Sequence, residues 1–570
     1  MYKFKLLPSV ILLSLLAACG TSELAKKPAT ADITIFSIND FHGNLQADKP
    51  VPYMAPADDH GHAHPADATL TPSGGYAYLA TVLKQRRLLA PASILVGAGD
   101  LIGASPIGAA ILRDEPVFEA LNQLGLSVTS VGNHEFDNGG AALKSKIKGE
   151  CPEQGCAFPG FRGAQYDYIA ANVLSRSDNL NDREPWLKPY VIRQVGDVKV
   201  AFIGAVTADT PNLVAGDGVK QLRFEDEATA INRYVPEIQQ KGVAAIVVLI
   251  HEGAYYKGAA NDPTYKCEGL QGPIIDIVKK LDKAISLVVS GHTHQGYTCK
   301  IDGRLVVQAR SYGAYLTETT LTIDRGSNQV INAVATNYLV EQRKLVADPV
   351  AQQLVAQVAD LTNIVRNRPI ATIAGQLTRN SDVGGFDSSL GNVIADAQLS
   401  FARTVGDADV SFINSGSIRN DLPTGKVSHN IPVTYGDLYA VQPFGNSLVR
   451  MTLSGAQLLQ VLEQQWQGRT VSDPKKLFVS QGLSYRWNPA EKVDRRVQQL
   501  SLNGQPIDPA KVYKVIVNNF LADGGDGFTV FKQGTERQII GKDLTALEAY
   551  LREPGAALLD VKKDRVRRLD

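Results

Sequence analysis

The chain predicts an α/β protein of two domains, and three observations carry that prediction. At 570 residues it exceeds what one ordinary hydrophobic core organises. From residue 32 onward, short β-rich apolar runs alternate with helical stretches, as in a layered α/β unit. Near residue 340 the pattern changes, and a second α/β or α+β unit follows.

MYKFK carries two lysines ahead of LLPSVILLSLLAA, a short apolar run ending in small residues before Cys19. That is a secretory signal, too short to span a bilayer as a mature helix. Leu16-Ala17-Ala18-Cys19, the end of a lipoprotein signal segment over residues 1–19, resembles the bacterial lipobox, which implies that Cys19 is acylated and becomes the new N-terminus. Acyl chains would anchor an otherwise soluble protein. Gly20, not Asp, follows the Cys, so outer membrane, cell surface or periplasm is the expected location. Residues 20–31 are small and polar, as a tether requires.

A first domain is expected over 32–340. Its buried strands are ITIFSI (33–38), SILVGAG (93–99), VTSVG (128–132), VAFIGAV (200–206), AAIVVLI (244–250) and ISLVVSG (285–291). VADPVAQQLVAQVADLTNIV has helical spacing with Pro349 near its start, which places a helical linker or hinge in 341–367. The second domain is expected over 368–570.

Lys+Arg and Asp+Glu both number 58, so no net field draws the chain to a nucleic-acid polymer or an anionic membrane. Of five Cys, Cys19 is assigned to lipidation, leaving an even four, as expected of disulfides in an exported chain. Four Cys allow three connectivities. The short CPEQGC loop favours Cys151–Cys156 and leaves Cys267–Cys299, while a rival thiolate metal site lacks any Cys-x-x-Cys.

The polar ends of the apolar runs carry the chemistry. They read Asn39-Asp40-Phe41-His42-Gly43, then Asp100, then Asn133-His134-Glu135, then His251-Glu252-Gly253, then His292-Thr293-His294. Sites in α/β sheets form outside the carboxyl ends of strands. Five of the nine His occupy these places. Imidazoles, carboxylates and one amide form a mixed N/O ligand set suited to Zn²⁺, Mn²⁺ or Fe. Two ions about 3.5–4 Å apart can brace an in-line displacement at phosphorus.

DFHG, GDLIGASP, GNHEFD, HEG and GHTH, in this order, resemble the calcineurin-like metallophosphoesterase domain of the bacterial 5′-nucleotidase family. The resemblance implies a four-layer β-sandwich flanked by helices. It implies two divalent ions, Zn²⁺ or Mn²⁺ first, with Mg²⁺, Co²⁺ or Fe as alternatives. Carried over, Asp40, His42 and His294 bind the first ion, and Asn133, His251 and His292 the second, with Asp100 bridging. His134 resembles the family's catalytic His, with Asp137 orienting it and keeping it protonated. His294 stands where some relatives have Gln.

The second half resembles the family's substrate-binding domain through LGNVIADA, NSGSIRNDLPTG, YGDLYAVQPFGNSLV and NNFLADGGDGF. Arg379 and Arg419 become candidate phosphate forks, and Phe444 and Phe520 a clamp for a nucleobase. Asn446 is a further substrate contact, and Asp526 a partner for ribose hydroxyls. One departure matters: Gly384 and Gly385 lie where relatives place a nearer Arg. Losing a bidentate Arg weakens the hold on a terminal phosphate. The expected activity is release of phosphate from nucleoside 5′-monophosphates, with UDP-sugars as further substrates. The alternatives are phosphodiester or pyrophosphate cleavage of 2′,3′-cyclic nucleotides or NAD, and a surface lipoprotein that binds without catalysis. The stretch DDHGHAHPAD, with His60, His62 and His64, reads as a polar insertion with incidental metal affinity.

Overall fold

The computed structural model describes residues 28–46, 50–53, 69–176, 184–214, 218–380, 386–423, 431–471, 474–553 and 561–569. Cys19, His60, His62, His64, Gly384 and Gly385 lie outside the described residues.

Two six-stranded sheets build the first domain. In chain order their strands are β1 (Thr30–Ile38), β2 (Ser93–Ala98), β3 (Leu126–Ser130), β4 (Asp167–Ile169), β5 (Tyr190–Val195) and β6 (Val198–Val206). β7 (Ala245–His251), β8 (Ile285–Val289), β9 (Gly296–Ile301), β10 (Arg304–Ala309), β11 (Tyr315–Asp324) and β12 (Gln329–Leu339) complete them. One sheet has the order β12-β11-β1-β2-β3-β4, the other β9-β10-β8-β7-β6-β5. The central pairs of both sheets are parallel; antiparallel strands close both edges of the second sheet and one edge of the first, whose other edge strand, β4, pairs parallel with β3.

Period-two geometry explains the packing. Ile35, Val96 and Val128 of one sheet meet Phe202, Val247, Leu249 and Val307 of the other. Their neighbours point outward: Phe36 and Leu95 pack under helices α1 (Tyr76–Leu89) and α2 (Glu115–Leu124), joining Leu79, Leu83, Phe118 and Leu121. On the far side, Ile203 and Val248 pack under α3 (Glu227–Gln239) and α4 (Ile274–Lys280). The result is helix, sheet, sheet, helix. A strand buried on both faces must be apolar at every position, which is why the runs stood out in the sequence.

A long helix, α5 (Pro349–Arg366), follows. The Asp348 side chain caps it by accepting from the Ala351 N–H at 3.0 Å, and Pro349 opens its first turn. Ala351, Leu354 and Val358 enter the core of the first domain, so α5 is docked there along one face.

The second domain centres on a five-stranded sheet ordered Leu477–Val479, Val410–Asn414, Val512–Asn518, Ser447–Ser454 and Thr535–Lys542. Helices Ser389–Val405 and Asp543–Arg552 pack against one another beside it. Both expected disulfides are present, Cys151–Cys156 and Cys267–Cys299. Among the described residues no helix is long and apolar enough to cross a membrane.

Candidate active site

β1, β2 and β3 of one sheet and β7 and β8 of the other deliver their carboxyl ends to one place. Asp40 and His42 follow β1, Asp100 follows β2, Asn133 follows β3, His251 ends β7, and His292 and His294 follow β8. Asp40, His42, Asp100, His292 and His294 all have positive φ, between 47° and 74°. Left-handed backbone at five non-glycine residues in one site is costly and persists only where surrounding structure fixes it.

The side chains fall into two groups. Asp40, His42 and His294 form one and Asp100, His251 and His292 the other, with ligand-capable atoms within 4.8 Å of one another in each group. His42 Nε2 lies 3.1 Å from His294 Nε2 and 3.7 Å from Asp100 Oδ2. His294 Nε2 is 3.3 Å from Asp40 Oδ1, and His251 Nε2 is 3.0 Å from Asp100 Oδ2. Asp100 is therefore close to both groups.

The tautomers are set from behind. His42 Nδ1 is 2.9 Å from the Gly103 carbonyl and His251 Nδ1 is 2.8 Å from the Ala98 carbonyl, so each Nδ1–H donates outward and Nε2 faces the centre. Burial holds His292 down at about 4 and His42 well below the ordinary histidine range, which leaves both as neutral imidazoles. At His251 burial opposes the charge, but the Asp100 and Asp40 carboxylates outweigh it and push the ring up to about 10.

These residues fit divalent cations. Asn133 Oδ1 and His251 Nε2 are buried without a well-aligned hydrogen-bond partner. A buried amide oxygen without a donor, beside a buried ring held charged by two buried carboxylates, is costly in a protein interior, and divalent cations in place of the ring proton would satisfy the whole set.

Around this centre the loops are tightly specified. A Cβ on Gly132 would stand 2.2 Å from Asp100 Oδ1, so no side chain fits there. Glu135 reaches under the loop after β2, and its carboxylate accepts from the N–H groups of Asp100, Leu101 and Ile102 at 2.8, 2.9 and 3.3 Å. It also accepts from the Gly132 N–H at 2.5 Å. Glu135 thus fixes where Asp100 points, a role that the sequence reading did not assign to it. The only signal was an acid directly behind His134, inside a motif at the end of a strand.

His134 sits at the rim. Its Nδ1 is 2.9 and 3.0 Å from the two Asp137 oxygens, and its own N–H donates to Asp100 Oδ1 at 2.8 Å. Burial disfavours the charged ring, but the Asp137 and Asp100 carboxylates outweigh it and raise the pKa.

A cavity of about 570 Å³ opens over the centre, between the domains. Asp100, Asn133, His134 and His292 line one side; Arg419, Phe444, Asn446, Phe520 and Asp526 line the other. The Phe444 ring stacks on His134 with centroids 5.8 Å apart, and the Arg419 guanidinium lies 5.6 Å from the Phe444 centroid. Among the described residues, neither Phe444 nor Phe520 stacks on the other.

Two of the expected substrate residues already have protein partners. Arg379 does not line the cavity; its guanidinium donates to the backbone carbonyl of Arg419 at 2.6 Å and so braces the Arg419 loop. Asp526 does line the cavity but is already engaged, with Oδ1 2.8 Å from Lys475 Nζ and Oδ2 accepting from Asn414 Nδ2 at 2.7 Å. Lys475 and Asn414 therefore belong to this wall, although a lone Lys or Asn in a loop carries no sequence signal.

Comparison with known proteins agrees with this geometry. Residues 33–296 match calcineurin-like phosphoesterases, and residues 369–533 match the 5′-nucleotidase C-terminal domain. The chain is 31% identical to Endonuclease YhcR of Bacillus subtilis, over 86% of this chain but 37% of that protein's length. It is 30% identical to Cell wall protein Lmo0130 of Listeria monocytogenes, over 95% of this chain and 70% of that protein. A solved 5′-nucleotidase precursor from Thermus thermophilus superposes with a TM-score of 0.70 at 26% identity, covering 95% of this chain and all of that one. The chain belongs to the 5′-nucleotidase family, with a calcineurin-like phosphoesterase domain followed by a 5′-nucleotidase C-terminal domain.

Proposed function

We propose that the chain is an extracytoplasmic phosphohydrolase that releases phosphate from nucleoside 5′-monophosphates, with UDP-sugars as further substrates. One observation carries the reading: a single cavity joins the buried His/Asp/Asn centre of the first domain to Phe444, Phe520 and Arg419 of the second. Asp40, His42 and His294 would hold one divalent ion and Asn133, His251 and His292 the other, with Asp100 between them. When bound, the ions supply Lewis acidity toward phosphoryl oxygens and a water nucleophile active near neutral pH.

The remaining work belongs to the chain's own residues. His134, kept cationic by Asp137, offers Nε2–H to charge growing on the phosphoryl oxygens. Arg419 offers a bidentate fork to phosphate. A base between Phe444 and Phe520 would gain about 1–3 kcal/mol from stacking whatever its identity, so broad base tolerance follows.

A second reading, cleavage of diesters or dinucleotides, draws on one detail. Among the described residues, Arg419 is the one arginine that lines the cavity, so a doubly charged terminal phosphate meets a single guanidinium.

The test offers AMP, UDP-glucose, NAD and 2′,3′-cyclic AMP in parallel to Mn²⁺- or Zn²⁺-supplied protein, and to washed intact cells that make it. Phosphate from AMP in both settings is the expected outcome. Turnover of the diesters without AMP would replace it with the second reading, and activity confined to lysed cells would contradict the location.

A further inference from the structure

A second cavity, of about 650 Å³, lies behind the first. Asp137, Asn138, Phe444 and Gly445 line both, so the two spaces share a rim beside His134. We propose that this second cavity receives the uncharged, polyhydroxylated ring lying beyond the scissile phosphoanhydride of a nucleoside diphosphate sugar. The proposal rests on the nucleotide-hydrolase reading and assigns a site to the far half of its larger substrates.

The lining argues for that ligand class. Asp114 is 5% exposed, and its Oδ1 has no hydrogen-bond partner. Lys146 Nζ stands 3.8 Å from Asp114 Oδ2, beyond a hydrogen bond. A buried acceptor needing a donor, beside an ammonium group needing an acceptor, matches two neighbouring hydroxyls: one gives its proton to Asp114 and the other accepts from Lys146. Tyr439 and Phe444 add ring surface to the same space.

Charge narrows the choice. The lining holds Asp114, Glu115, Asp137 and Glu150 against Arg113 and Lys146. Arg113 is already committed, with Nη2 donating to the Gly155 carbonyl at 2.6 Å and Nε 2.9 Å from Glu115 Oε1. An anionic group is disfavoured there, whereas a neutral sugar is not.

The backbone is also built for the purpose. Arg113 and Asp114 have φ of 57° and 61°, consecutive left-handed residues directly before α2. Asp114 occupies the position preceding that helix yet makes no side-chain cap, so its carboxylate is withheld from the usual local role. The loop closed by Cys151–Cys156 forms a further wall through Cys151 and Pro152.

In the reaction served, water adds to one phosphorus of UDP-glucose, the bridging P–O bond breaks, and UMP and glucose 1-phosphate leave with the released proton. The sugar itself is unchanged, so the second cavity acts by binding.

Calorimetric binding of UDP-glucose and UMP to the metal-stripped full chain tests the proposal without catalysis. UDP-glucose is expected to bind about tenfold more tightly than UMP. Asp114→Asn, which tolerates left-handed backbone, and Lys146→Gln should each abolish that surplus and leave UMP binding within twofold. Equal affinities for the two ligands in the unaltered chain would overturn the proposal, as would both ligands weakening together in a variant with native circular dichroism. AMP hydrolysis measured alongside keeps the two readings apart. Its absence with the UDP-glucose surplus intact would remove the monophosphatase reading and leave the sugar site.

Discussion

At the scale of single residues, the Asp137 carboxylate matters through His134. Burial disfavours the cation, and the neighbouring carboxylates outweigh burial, so His134 stays protonated at higher pH than an ordinary histidine. Activity that needs the cation should fall as pH rises through the raised pKa. Asp137→Asn keeps an acceptor at Nδ1 but removes the charge, so the alkaline limb of kcat/KM against pH should move to lower pH, with kcat reduced about 10²-fold or more. An unmoved limb would show that His134 does not set it. Glu135 is the second such residue. Glu135→Ala strips the acceptor from four buried N–H groups, and unsatisfied buried donors cost about 1–3 kcal/mol each when nothing replaces the partner. Loss of about 3 kcal/mol or more in urea unfolding, with weakened metal binding, is expected; unchanged stability would mean water or relaxation replaces the carboxylate. The residues that converge at the strand ends were legible in the sequence because each follows an apolar run. The role of Glu135 was not, since nothing in GNHEFD shows which acid turns inward. The bond from Arg379 to the Arg419 carbonyl was hidden for a related reason: an Arg near a helix start carries no mark of the protein groups that it meets.

At the scale of elements, buried parallel strands announced themselves and edge strands did not. β1, β2, β7 and β8 are apolar on both faces and fall close to the runs read from the sequence. The edge strand β12 lies largely exposed and its neighbour β11 alternates, and such mixed patterns look like loops and turns. The left-handed backbone at Asp40, His42, Asp100, His292 and His294 was likewise invisible, because Asp and His are not residues that require it. Helix α5 was legible from Pro349 and its spacing, and its cap can be tested. Asp348 both accepts from the Ala351 N–H and pairs with Lys84, whose side chain is mostly exposed. Asp348→Ala should cost about 1 kcal/mol, whereas Asp348→Asn, which still caps, should cost far less. Equal losses in chemical denaturation would assign the stability to the ion pair instead.

At the scale of the whole molecule, neither domain holds a complete site. The first brings the His/Asp/Asn centre and His134, the second brings Arg419, Phe444 and Phe520, and the cavity exists only where they meet. Helix α5 is fixed to the first domain through Ala351, Leu354 and Val358, so its far end is where the second domain takes its position. The sequence raised the expectation of ligand-binding residues in both halves, but not of His134 and Phe444 stacking across the boundary, since contact between domains leaves no local pattern. On the function proposed, the converging strand ends form a two-ion centre for nucleotide hydrolysis. Its most direct measurement is phosphate release from AMP by the metal-stripped full chain during titration with Mn²⁺, beside Asp100→Asn. Activity that is absent without metal, rises to saturation at two ions per chain, and never appears in Asp100→Asn is the expected result. Activity that survives stripping, or that saturates at one ion, would contradict it.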